Sequence, residues 1–415
     1  MQKAILLICL LTGAMMAAEK SQAQAGCNDP YATNYNAAAT SNDGSCIYAA
    51  TSITPVVADT LSDTLRETSG MVYWNGLLWT HNDDTDPHLY AIDTTDGHIV
   101  KKVEILNVVN NDWEEISQDN DYFYLGDFGN NGNGNRQDLN ILRIAKTALT
   151  GSQTTVTADK ILFSYQDQTS FTPAGANNTD FDCEAFIAGT DSLYLFTKQW
   201  VSRKTKIYAL PKVPGTYSAV PKAEYNVGGL VTGATYIPGK KTVVLSGYST
   251  LVQPFVCLLY DYQDNRFFSG NKRKITVSLP LHQTEAIATC NGLNFFLTNE
   301  AFAAIPPKLL KMDLAPYLAN YYQLGVGNVL PGSAVSLYPN PATNAFVLNI
   351  RSPKEQPLTV TLINSAGQMI HTQTCQLVVG AQELRIVPPA GMAPGVYWLE
   401  VASANGSTVM KALYE

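Results

Sequence analysis

The chain has 415 residues, 46% hydrophobic and 15% charged, with 35 acidic against 27 basic side chains and a formal net charge of −8. Its longest run of Lys and Arg is the three residues Lys272, Arg273 and Lys274, too short for the cationic stripe that a phosphate backbone demands, which argues against nucleic acid as a partner. Beyond the amino end no apolar run approaches the roughly 20 residues that span a bilayer, and two or three domains are expected at roughly 100–200 residues each.

Lys3, an apolar stretch over residues 4–18 and a polar segment ending Ala23-Gln24-Ala25 have the three regions of a secretory signal peptide, predicted over residues 1–25. A lipidated Cys9 would leave an apolar core of only about five residues, short of the expected 7–15. The remaining cysteines are Cys27, Cys46, Cys183, Cys257, Cys290 and Cys375, with no C-x-x-C and no Cys/His cluster, so structural zinc is not expected. Residues 26–50 form a short module bracketed by Cys27 and Cys46 and crowded with Asn, Asp, Gly and Pro, the residues of tight turns. In an exported chain this pair predicts a disulfide, worth on the order of 3 kcal/mol for a loop of about 20 residues. The segment resembles a C-x-D-P-x-A-x-N-Y-N…D-G-S-C module of secreted bacterial proteins, matching at Cys27, Asp29, Pro30, Ala32, Asn34, Tyr35, Asn36 and residues 43–46. Asp29, Asn36, Asn42 and Asp43 either offer hard oxygens to calcium or are solvated side chains of a disulfide-closed turn.

Residues 51–323 repeat one pattern five times: a short apolar strand, a turn rich in Asn, Asp or Gly, and a second aromatic or aliphatic strand, followed by a third. With Ser69, Glu114, Glu184, Ala234 and Glu285 as the aligned position, the steps are 45, 70, 50 and 51 residues, the size of a four-stranded propeller blade with an insertion in the second. The expected fold is all-β: a β-propeller of five blades, or six if the long step conceals one, followed by an immunoglobulin-like β-sandwich. A solenoid or separate sandwiches are the alternatives. An orphan strand over residues 53–59 is expected to complete the last blade, leaving no open edge.

Residues recurring at one offset in every blade form a ring about the axis. The first offset gives Glu67 with Ser69, Asp112 with Glu114, Asp182 with Glu184, and Gln283 with Glu285; a second, one strand later, gives His81, Asn82, Asp83, Asp127, Lys198, Asn299 and Glu300. Crowded carboxylates raise one another's pKa unless a cation compensates, and hard oxygens suit calcium. Glu67, Asp112, Glu114, Asp182, Glu184 and Glu285 are therefore the candidate metal ligands, with Glu114, Glu184 and Glu285 the candidates for catalysis. The competing reading has strand-opening Asp and Glu bonding to the backbone of adjacent blades. The E-x-S-G element at Glu67 and the D/Q-x-E-A elements at Glu184 and Glu285 resemble those of esterase-like phytase and, more distantly, gluconolactonase propellers, whose axial carboxylates hold a divalent cation. Residues 126–135 are Gly-rich but lack the Lys-Ser/Thr ending of a phosphate loop, so a mobile inter-strand loop is expected, and Cys183 is expected to be a small buried apolar side chain.

Residues 324–335 have a linker's Gly and Pro content, and residues 336–415 alternate short strands with turns, as a small β-sandwich does. Tyr338, Pro339, Asn340 and Pro341, the 364–367 turn, Gly395, Tyr397 and Lys411 resemble the C-terminal sorting domain of the type IX secretion system. The resemblance implies recognition by that machinery, a source among the Bacteroidota, and release from the cell or attachment to its surface; an adhesive module that stays attached is the alternative. The expected function is binding of an extracellular glycan or protein. A calcium-dependent phosphoesterase or lactonase is the alternative.

Overall fold

The computed structural model describes residues 24–324, 335–352, 355–364, 368–403 and 406–415. The predicted signal peptide before Gln24, the linker save its ends and most of the 364–367 turn lie outside the described residues.

Five four-stranded blades surround one axis. Blade 1 comprises Thr68–Trp74, Leu77–Asn82, His88–Ile92 and Ile99–Ile105, from the axis outward. Blade 2 comprises Trp113–Gln118, Tyr122–Asp127, Asn140–Ala145 and Asp159–Tyr165; blade 3, Cys183–Ala188, Ser192–Thr197, Thr205–Pro211 and Gly215–Tyr225. Blade 4 comprises Leu230–Ile237, Thr242–Tyr248, Pro254–Tyr260 and Asn271–Val277. Blade 5 has Thr284–Thr289, Asn294–Asn299 and Lys308–Asp313, and its outer strand is the orphan, Val56–Thr60, paired antiparallel to Lys308–Asp313. The first and last blades are thereby tied together by the strand that precedes blade 1. The 70-residue step hides no sixth blade: it contains the outer strand of blade 2, a loop, and the two-residue strand Thr155–Val156, which joins the rim of blade 1.

Position in the blade sets the burial pattern. Inner strands such as Cys183–Ala188 are buried at every residue because a neighbouring blade covers each face, whereas the rim strand Asp159–Tyr165 alternates between exposed and buried. Five apolar clusters separate successive blades. One sets Val72, Trp79 and Leu89 of blade 1 against Ile116, Phe123 and Leu142 of blade 2, and another closes the ring between blades 5 and 1 with Ala286, Leu309, Met71 and Tyr90. The first hairpin turns on Asn75 and Gly76, both at positive φ, as its Asn-Gly pair specifies.

The predicted disulfide joins Cys27 to Cys46. Its head docks on blade 4: Asp29 accepts from the Tyr48 and Tyr260 hydroxyls at 2.7 and 2.6 Å, and Asn42 donates to Asp261 at 2.8 Å. Asn36 and Asp43 cap local backbone N–H groups of Ala38 and Ser45. The four oxygen-bearing residues thus serve the turn and its docking. The described residues of 335–415 form a three-stranded and a four-stranded antiparallel sheet around Phe346, Leu348, Val360, Leu362 and Leu399. Asn340 clamps the last strand, donating to the Lys411 carbonyl at 2.8 Å and accepting from the Leu413 N–H at 2.7 Å.

At the axis the inner strands come close enough that one carboxylate reaches three blades. Glu115 of blade 2 accepts from Ala234 N–H of blade 4 at 2.6 Å, from Ile116 N–H at 3.0 Å, and from Met71 N–H of blade 1. The approach requires glycine on two sides: a Cβ at Gly70 would lie 2.3 Å from Ile116 N, and one at Gly233 would lie 2.3 Å from the Glu285 carbonyl oxygen. Replacing Glu115 by Ala strands these buried donors, so Glu115→Ala is expected to lose about 2–4 kcal/mol. The urea unfolding midpoint checks this, and an unchanged midpoint would show that the clamp carries no weight.

Candidate functional site

Every innermost strand carries a β-bulge, at the aligned position in four blades but at Thr232 in blade 4, two residues before the Ala234 that the sequence alignment placed there. The ladder skips residues 69–70, 114, 184, 232 and 285–286 against the second strands. A bulge turns the extra side chain out of the alternation. Glu114, Glu184 and Glu285 are therefore aimed at the axis, and Glu115 can reach across it from the neighbouring position. The second offset lies at the end of each second strand, where Asp83, Lys198, Tyr248 and Glu300 approach the same region.

The carboxylates fall into two tiers. Glu67, Asp83 and Glu300 are half-buried and offer oxygens within 4.8 Å of one another; Glu114, Asp182 and Glu184 do the same in full burial. Glu285 is also buried, and its Oε2 has no hydrogen-bond partner. Two protein cations serve the group. Lys198 Nζ lies 2.8 Å from Glu184 Oε1 and packs over the rings of Trp200 and Tyr248, while Arg136 is 2.8 Å from Asp127. Burial, reinforced by Glu300, Glu67, Glu184 and Asp112, pushes Asp83 up to about 8. Burial with Glu67 and Glu184 takes Glu300 to about 7 against the pull of Lys198, and burial with Glu184 takes Asp112 to about 6 against that of Arg136. Burial also raises Glu114, Asp182 and Glu285 well above the usual carboxylate range. It opposes the charge on Lys198, but Glu184, Tyr248 and Glu285 hold that ammonium protonated.

All six candidate metal ligands from the first offset reach this region, and the second offset adds Asp83, Glu300 and Lys198. The competing reading also holds in part. Asp182 accepts from Asn130 N–H and Trp200 Nε1, both at 2.7 Å, tying blade 3 to the Gly-rich loop. Glu115, absent from the candidates, is the fullest example. The Gly-rich loop is a wall of the site: Phe128 and Asn130 are buried, and a Cβ on Gly129 would fall 2.1 Å from Glu114 Oε1 and 2.3 Å from Asp112 Oδ2. His81 stands apart, its Nδ1 against the Asn82 carbonyl and its ring against Trp113; burial holds its pKa down to about 4. Cys183 is buried with its thiol pushed up, as a packing residue is. A cleft of about 800 Å3 lies on the rim, lined by Asn107, Asp138, Asn140, Ser164 and Tyr217.

The family described as the secretion system C-terminal sorting domain matches residues 336–415. Those residues are a type IX sorting domain. The sorting domain makes this an exported protein, secreted or held at the outer surface, that engages the secretion machinery. No helix among the described residues is long and apolar enough to cross a membrane. No curated protein matches the chain in sequence. Among solved structures it is similar to PorZ of Porphyromonas gingivalis, described as a surface component of the type IX secretion system, at 12% identity and a TM-score of 0.29 over 84% of this chain; it spans 45% of PorZ. It is also similar to an exo-β-1,3-galactanase from Phanerochaete chrysosporium, at 10% identity and a TM-score of 0.41 over 87% of this chain and 99% of that one. A Bombyx mori β-fructofuranosidase follows at 10% identity and a TM-score of 0.35, with 88% of each chain covered. The propeller assignment rests on the sheets described above.

The raised carboxyls set a pH dependence. Asp83 and Glu300 bind protons more tightly folded than unfolded, so their contribution is complete below the unfolded values of about 4 and is lost as pH rises through about 7 and 8. In chelator, thermal stability is expected to fall between pH 5 and roughly 8.5, and Asp83→Asn is expected to flatten that slope. A wild-type profile that rises across this interval would contradict the assignment.

Proposed function

We propose that the exported propeller holds a divalent cation of the calcium class at the mouth of its acidic funnel and through it binds an oxygen-rich extracellular ligand. The observation that carries this reading is the outer tier: Glu67, Asp83 and Glu300 converge within 4.8 Å, half-buried, while Lys198 is committed to Glu184. The donor set fits a hard cation, since every group is a carboxylate oxygen, and the unpartnered Oε2 of Glu285 fits a pocket short of positive charge. A cation there would hold the carboxylates ionised that otherwise retain protons near neutral pH. Six to eight oxygens satisfy calcium, so three carboxylates leave positions for water or for a ligand's hydroxyl or anionic oxygens.

Hydrolysis of a phosphate ester or lactone is the second reading, favoured by the Lys198 ammonium and Tyr248 beside Glu184 and Glu285. When bound, the cation would polarise a carbonyl or phosphoryl oxygen. Lys198 would position Glu184, and a protonated carboxyl of the buried tier would supply a proton.

Calcium chloride is expected to raise the melting temperature and EDTA to reverse the rise; by linkage a concentration 100 times the dissociation constant adds about 2.7 kcal/mol. Glu300→Gln and Asp83→Asn should weaken the response at least tenfold. An equal response in both variants would remove the site. Esterase, lactonase and phosphatase assays on wild type and Glu184→Gln separate the two readings: turnover by wild type that Glu184→Gln abolishes supports hydrolysis, and no turnover by calcium-loaded wild type leaves binding alone.

A further inference from the structure

The disulfide-closed head meets blade 4 beside the helix Ala315–Leu324, and the three elements leave a cavity of about 200 Å3 between them. Its lining includes Asp29 and Tyr31 of the head, Tyr260 and Asn271 of blade 4, Asp261 directly after it, and Tyr317 of the helix. None of these residues belongs to the axial funnel. The polar groups are held in place before any ligand arrives. Asp29 accepts from Tyr31 N–H at 2.9 Å and from the Tyr48 and Tyr260 hydroxyls. Asn42 donates to both Asp261 and Asn271, at 2.8 and 2.9 Å, and Asp261 N–H donates to the Tyr321 hydroxyl at 3.1 Å. Asn271 Nδ2 also reaches Asp29, at 3.5 Å, which fills that carboxylate's roughly four acceptor positions, whereas Asp261, bonded by the side chains of Asn42 and Asn28, keeps acceptor capacity.

Arg273 decides what kind of ligand fits. Its guanidinium lies 4.7 Å from the Tyr317 ring centroid, 5.0 Å from that of Tyr48 and 5.8 Å from that of Tyr31. It is 8% exposed, and its Nε and Nη1 have no hydrogen-bond partner. The tyrosine rings therefore already pack on a cation, which disfavours a second one. What remains is a set of aromatic surfaces beside acceptor-rich polar groups. That combination matches a ring with apolar C–H faces and several hydroxyl donors. The volume lies below the 300–1,000 Å3 of larger ligand sites and suits one such ring, and Tyr31, 45% exposed, marks a side open to solvent.

We infer that the seam between head and blade 4 is a monosaccharide-recognition site, taking one neutral pyranose, free or at the end of a glycan. The head then has a function beyond closing a turn: it supplies one wall of the site, and its disulfide holds that wall in position. The site does not depend on the axial cation.

Saturation-transfer difference NMR on the full mature chain tests this with D-glucose, D-galactose, D-mannose and N-acetyl-D-glucosamine at about 10 mM, enough to detect millimolar affinity. At least one sugar is expected to receive saturation at its ring C–H protons, equally in calcium and in EDTA, and equally in Glu285→Gln. Tyr317→Ala should cut the signal at least fivefold while Tyr317→Phe, which keeps the ring, retains it. Tyr321→Ala, which leaves the Arg273 contacts intact, should also weaken it if the former variant fails to fold. No saturation of any of the four sugars, a signal untouched by both alanine variants, or saturation of tetramethylammonium in their place would overturn the assignment.

Discussion

Crowding at the propeller axis governs this molecule. Five inner strands converge there, and their backbones approach so closely that Gly70 and Gly233 have no room for a Cβ. A regular strand alternates its side chains between two faces, and in a blade both faces are taken by neighbours. The bulge in each inner strand relieves this by releasing one side chain from the alternation, and that side chain turns to the axis. Where it is glutamate, as at 114, 184 and 285, the ring gains a carboxylate; where it is threonine, as at 232, it gains a hydroxyl that bonds the Thr284 carbonyl of the next blade.

The same crowding gives adjacent glutamates opposite roles. Glu114 and Glu115 are neighbours in sequence and are both buried, yet Glu115 spends its oxygens on the N–H groups of three blades while Glu114 stands with Asp182 and Glu184. Glu115 binds the ring together and Glu114 lines its pocket. The structural and the chemical readings of a recurring acidic residue are both correct, for different members of one run.

Much of this was legible in the chain. The aligned segments gave the blades, their order and the closing strand, because hairpin chemistry is local and an unpaired edge must be covered. The cysteine pair and the sorting tail were readable for the same reason, as short patterns with fixed spacing. Three things were not. A bulge has no sequence signature of its own here, so the separation of Glu114 from Glu115 followed only from the register. Asp83 and Glu300 were expected in the second offset near the same mouth, but their separation with Glu67 into an outer tier, apart from Glu114, Asp182 and Glu184, followed only from the packing of blade 5 beside blade 1. Finally, the Gly-rich loop at 126–135 reads as a solvated connection, but Phe128 and Asn130 anchor it, and Gly129 gives the carboxylates their space.

The central claim is that these carboxylates make one cation site on the axis. Anomalous scattering from crystals grown with calcium tests it most directly. The account predicts a peak bounded by Glu67, Asp83 and Glu300 with oxygens at about 2.3–2.6 Å. An axis without a peak at saturating calcium, or a peak found only at the exposed cluster of Asp93, Asp96 and His98, would contradict it.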